Sequence, residues 1–148
     1  MIYQKKSDVR GAEYMKQGLI APSMMCVDFS EMTSVIEAFE KNGIGYLHID
    51  IMDGHFVPNL TFGAPIVKAI RPYTQLPFDV HLMVTNPGDY VEEFAKIGVE
   101  YFTFHQETVP HMHRLIQHIK QCGMKAGVSL NPGTPVSLLE DVAADLDM

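Results

Sequence analysis

Cysteine is scarce. The 148 residues hold only Cys26 and Cys122, with no CxxC pair. A disulfide framework and a thiolate zinc site are therefore not expected, and both cysteines are expected to behave as small buried hydrophobes. Basic clusters are missing too. The formal net charge is -7, and the 11 Lys and Arg residues are scattered. That excludes nucleic acid as the expected main partner. A small anion stays open as a partner, because a few backbone N–H groups can hold one phosphate. No apolar run approaches the ~20 residues of a membrane span. No basic segment joins a long apolar one near the N-terminus. The expected setting is cytoplasmic, with no membrane partner. A GxGxxG stretch after the first apolar run is also missing, which argues against a dinucleotide-binding sheet.

What remains is a globular composition, 47% hydrophobic and 20% charged, in a chain long enough for one domain with a core. Residues 1–18 are polar and without period, and read as an N-terminal extension. From Leu19 onward apolar runs alternate with helical patterns. "LIAPSMMC" (19–26) reads as a strand. A helix follows, N-capped by Asp28 or Ser30 and stopped at Gly43, with Met32, Val35, Ile36 and Phe39 at helical spacing. The strands "GYLHIDIM", "PFDVHLMV", "VEYFTFH" and "MKAGVSLN" come next. Helical segments over 64–73, 86–98 and 109–123 separate them, and "TPVSLLEDVAA" opens a fifth helix.

Five such βα units predict an α/β fold with a parallel sheet covered by helices. Polar residues at the C-terminal ends of the strands point to a (β/α)8 TIM barrel, which typically takes ~250 residues. Residues 19–148 are therefore expected to supply about the first five units of a barrel that is incomplete at its C-terminal side. A sixth strand is expected to begin at "DLDM".

The chemistry concentrates in two strands. His48 and Asp50 are two apart, so they share a face with Met52, while Leu47, Ile49 and Ile51 point to the helices. In the next strand Asp79, His81 and Met83 share a face. A lone histidine in an apolar strand is ordinarily a hydrogen-bonded core residue. Here two adjacent strands converge on the barrel interior, and an unpaired carboxylate there would be costly to desolvate. Two imidazoles and a carboxylate suit Zn, Fe, Mn or Co. Asp79, nearer the strand start, reads as a structural partner. Asp53 and His55 read as a turn around Gly54. His105 is open between support of the site and core packing. His111, His113 and His118 read as surface positions on one helix. Ser23 is placed to hydrogen-bond a substrate or to cap a loop. Met52 and Met83 would give the cavity a thioether wall without competing charge. A Schiff-base aldolase or a decarboxylase lacks support, since Lys68 falls on a helix and Lys125 at a strand start.

These residues carry a resemblance. The "APS" run at Ala21–Ser23, H-x-D-x-M-D-G-x-F-V-P-N from His48 to Asn59, D-x-H-L-M from Asp79 to Met83, F-H-x-E from Phe104 to Glu107 and K-A-G-x-x-x-N-P-x-T-P from Lys125 to Pro135 resemble the ribulose-phosphate 3-epimerase family. The resemblance implies a TIM barrel with one divalent metal ion. It implies 3-epimerisation of D-ribulose 5-phosphate to D-xylulose 5-phosphate, through a metal-stabilised enediolate, in the pentose phosphate pathway. His48, Asp50 and His81 would be metal ligands and Asp50 the general base. Ser23 and His81 would touch substrate, and Met52 and Met83 would line the pocket. The family's second aspartate and its phosphate-binding loops would lie beyond Met148. Asp145 and Asp147 are not candidates for that role. The expected partners are a small ketose phosphate and further copies of the chain. D-allulose 6-phosphate as the substrate, or an inactive truncated family member, are the alternatives.

Overall fold

The computed structural model describes residues 19–148; the N-terminal extension expected over residues 1–18 lies outside them. Four strands, β1 (Leu47–Met52), β2 (Phe78–Met83), β3 (Tyr101–His105) and β4 (Lys125–Ser129), form one parallel sheet in sequential order. Helices α1 (Met32–Lys41), α2 (Ala64–Ile70), α3 (Val91–Ile97) and α4 (Met112–Gln121) precede or connect them. This is the α/β pattern of part of a TIM barrel. Among the described residues no helix is long and apolar enough to cross a membrane.

Strand alternation sorts the side chains as expected. Leu47, Ile49, Phe78, Val80, Leu82, Phe102 and Phe104 are buried on the helix side. They meet Ile36, Val67, Phe94, Ile116 and Ile119, which are also fully buried. Parallel register aligns the other face in rows. Asp50 stands beside His81, and His81 beside Thr103 and then Gly127. Gly127 is needed in that row. A methyl there would collide with Thr103 Oγ1 and lie 3.2 Å from Thr103 Cβ. Gly127→Ala is expected to lower stability by about 1–3 kcal/mol, as overpacking does. Urea unfolding would read the loss, and adding Thr103→Ala should recover most of it.

The expected first strand is reduced. Residues 19–23 run beside β1, with Gly45 N donating to Ile20 O at 3.2 Å and His48 N to Pro22 O at 3.1 Å. Leu19 and Ser23 are isolated bridge residues, Ser23 paired with His48. Pro22 has no N–H to give a ladder, and Met24–Cys26 turns into a 3-10 helix. That turn buries Met24 and exposes Cys26; Cys122 is half-buried. The expectation of two buried cysteines is thus corrected. The fifth helix is corrected as well. Val136–Leu139 and Ala143–Asp145 are separate 3-10 turns, because only Leu139, Val142 and Leu146 turn inward. Spacing near three residues suits the tighter helix. Asp28 does act as the cap, accepting from Ser30 N at 2.9 Å, but it caps a 3-10 turn that leads into α1. At the far edge, Asp147 N donates to Ala126 O at 2.9 Å and Val128 N to Met148 O at 3.2 Å. "DLDM" therefore starts along β4, where a further strand was expected.

Candidate metal centre

β1 and β2 build the site. Their register sets Asp50 against His81 and His48 against Asp79. His48 Nε2 lies 3.2 Å from Asp50 Oδ1, and His81 Nδ1 lies 3.3 Å from the same oxygen. His48, Asp50 and His81 each offer a ligand atom, and these atoms lie within 4.8 Å of one another. Behind them, His48 Nδ1 is 2.8 Å from Asp79 Oδ2. Asp79 is only 2% exposed. A buried carboxylate on one ring nitrogen keeps the proton there and turns the other nitrogen's lone pair outward, the usual arrangement behind a metal-bound imidazole. The donor set therefore fits a divalent ion of the Zn, Fe, Mn or Co type.

Ser23 Oγ donates to Asp50 Oδ2 at 2.7 Å and also accepts from Met25 N at 3.4 Å. It is thus both the cap of the first 3-10 turn and a support of Asp50. Burial alone would raise the Asp50 carboxyl. The hydrogen bonds from His48, His81 and Ser23 outweigh it and hold the group well below the usual carboxylate range. Burial likewise opposes a charged His48, yet the hydrogen bonds to Asp50 and Asp79 push it up to about 9. Met52 and Met83 stand side by side in register at the C-terminal ends of their strands, both half-buried.

The structure also brings in residues outside the candidate set. His105 Nε2 is 2.9 Å from His81 Nε2; the residue is 7% exposed, and its ring is stacked on that of His81. Burial and the neighbouring His81 lower its affinity for a proton. The signal was its place at the end of β3 on the inward face. Phe56 packs on His105 with ring centroids 4.8 Å apart, which holds the loop after β1 against this end of the sheet. Asp53 forms the expected turn, accepting from His55 N at 2.8 Å and Phe56 N at 2.9 Å, and Gly54 takes a φ of 73°. Its other oxygen accepts from Thr85 N at 2.8 Å, a tie from the loop to the end of β2. His55, His111 and His113 are exposed and His118 is half-buried. None of the four joins the cluster, and His111 caps α4 without lying on it. Lys68 is exposed on α2, and Lys125 Nζ donates to Tyr101 Oη at 2.9 Å at the opposite end of the strands.

Comparison with known proteins agrees with the geometry. The sequence pattern of the ribulose-phosphate 3 epimerase family matches residues 19–148. A ribulose-phosphate 3-epimerase of Bacillus subtilis (strain 168) is 52% identical over 129 residues, covering 87% of this chain and 59% of the relative. The cytoplasmic isoform of Oryza sativa subsp. japonica is 53% identical over 118 residues, covering 79% and 52%. The chain thus spans between half and three fifths of the length of these relatives. Among solved structures, a 7,8-dihydropteroate synthase from Vibrio fischeri ES114 superposes with a TM-score of 0.52 at 13% identity, over 82% of this chain and 49% of that one. At that identity the likeness concerns the backbone alone. The match over 19–148, which includes the His–Asp–His cluster, shows that the chain belongs to the ribulose-phosphate 3 epimerase family.

Proposed function

We propose that this protein takes part in the interconversion of D-ribulose 5-phosphate and D-xylulose 5-phosphate, in the cytoplasm, with one divalent metal ion held by His48, Asp50 and His81. The observation that carries the reading is the convergence of three ligand atoms within 4.8 Å on the half-buried inner face of β1 and β2.

Epimerisation removes the proton on C3, next to the ketone. When bound, a divalent ion supplies Lewis-acid stabilisation of the negative charge that grows on the ketone oxygen. Asp50 is the base for C3. Its hydrogen bonds keep it ionised throughout the neutral range, so it stands ready to accept. Ser23 holds one Asp50 oxygen in place with its hydroxyl proton and can accept a hydrogen bond from a sugar hydroxyl on its oxygen. Met52 and Met83 present apolar sulfur beside the reacting carbon and exclude water. Inversion requires a proton on the opposite face, from a group outside this cluster.

The test is conversion of ribulose 5-phosphate to xylulose 5-phosphate by the protein, before and after EDTA. Conversion is expected to stop with EDTA and to return with Mn2+, Co2+ or Zn2+. Conversion indifferent to EDTA would refute the role of the metal. Turnover of allulose 6-phosphate in place of the pentose would refute the substrate.

A further inference from the structure

Asp79 fixes the tautomer of His48, whereas the Nε2 of His81 faces an imidazole, that of His105, and not a carboxylate. The ring of His81 has Nδ1 towards Asp50 and Nε2 at 2.9 Å from His105 Nε2. A metal-binding Nδ1 must be bare, so the ring proton must sit on Nε2 and be donated to His105. That requires His105 Nε2 to be bare and its own proton to sit on Nδ1. His105 Nδ1 is buried and makes no hydrogen bond here, and the Glu107 carboxylate lies beside it, with Oε2 at 3.4 Å. Glu107 is itself anchored through its other oxygen, Oε1, which accepts from Asn131 N at 2.6 Å and from Thr134 Oγ1.

We infer that Glu107 acts through His105 to fix the tautomer in which His81 presents a bare Nδ1 to the metal. Both are positioning residues, since neither bears a ligand atom of the cluster. The inference rests on the reading of His48, Asp50 and His81 as a metal centre. It gives each histidine ligand a carboxylate: Asp79 directly for His48, Glu107 at one remove for His81. It also ties the metal ligand to the loop after β4, because the same side chain holds Asn131 and Thr134.

Glu107→Gln tests the chain of protons selectively. Its amide oxygen can keep Asn131 and Thr134, while its NH2 group faces His105 Nδ1 and donates. That reverses both tautomers and leaves His81 with a protonated Nδ1. Titration of the 148-residue chain with Co2+, followed by its visible absorption, is expected to show 10–100-fold weaker binding, with an unchanged far-UV circular dichroism spectrum. His105→Phe removes the link, so Glu107→Gln added to it should change Co2+ affinity by less than twofold. Ring 15N spectra of the Co2+-free analogue loaded with Zn2+ should show His105 protonated at Nδ1 in the wild type. Co2+ affinity within twofold of wild type in Glu107→Gln would overturn the inference alone. So would an undiminished effect of Glu107→Gln in the His105→Phe background. Absence of Co2+ binding by the wild-type chain would overturn the metal reading and this inference with it.

Discussion

Asp50→Asn is expected to lose metal binding and turnover together. Asparagine keeps the shape and one acceptor oxygen but removes the charge that His48 and His81 share at 3.2 and 3.3 Å. It also sets an NH2 group or a neutral oxygen where Ser23 now donates at 2.7 Å. Loss of a general base costs about 10²–10⁴ in rate. Loss of a charged ligand adds to that, so turnover should fall by at least about 10³. Ser23→Ala removes one hydrogen bond to a charged group, worth about 1.5–3 kcal/mol, and should cost one to two powers of ten. Activity of Asp50→Asn above a tenth of wild type, measured with saturating Mn2+, would sink the assignment of Asp50 as base and ligand. An Asp50→Asn chain that binds Mn2+ normally yet fails to turn over would confine Asp50 to proton transfer.

Protons and metal should compete at His48, and the two forms of the protein should respond to pH in opposite directions. Without metal, His48 is raised from 6.5 to about 9 by its bonds to Asp50 and Asp79. A group raised on folding stabilises the fold fully below its unfolded value, and that stability is lost as pH rises through the folded one. The shift corresponds to about 3 kcal/mol at most, present at pH 6 and fading between about 6.5 and 9. Asp50 is shifted the other way. Its share is present above the ordinary carboxylate value near 3.8 and is lost as pH falls below it. Metal binding must displace the His48 proton, so affinity should rise by up to tenfold per pH unit over that same window. Melting in EDTA should therefore shift downward from pH 6.5 to 9, while melting in excess Mn2+ should shift upward. Parallel slopes in the two series would show that His48 does not exchange its proton for the ion.

How much of this was legible in the sequence depended on which physical rule was at work. Strand alternation is local, because successive side chains point to opposite faces. It sufficed to place His48, Asp50, Met52, His81 and Met83 on one inner face and Leu47, Ile49 and Ile51 on the other. The glycine stops were also local: Gly43, Gly98 and Gly123 take φ of 69°, 86° and 85° after α1, α3 and α4, a conformation that favours glycine. The first strand and the fifth helix differ from the pattern of the sequence, because apolar spacing carries no information on ladder hydrogen bonds or on the depth of burial. Pro22 cannot donate one, and the Val136–Asp145 stretch buries too few side chains to hold a continuous α-helix.

The sequence by itself determined the side of the sheet on which each polar residue lies, and through its motifs the family. Only the tertiary structure decided who meets whom. Register between strands is a long-range property, set when β1, β2 and β3 dock. That docking puts Asp79 on His48 Nδ1, His81 on both Asp50 and His105, and Glu107 between His105 and the loop at Asn131. Asp79 and His105 are 31 and 57 residues from His48, so their roles depended on the sheet that brings them together.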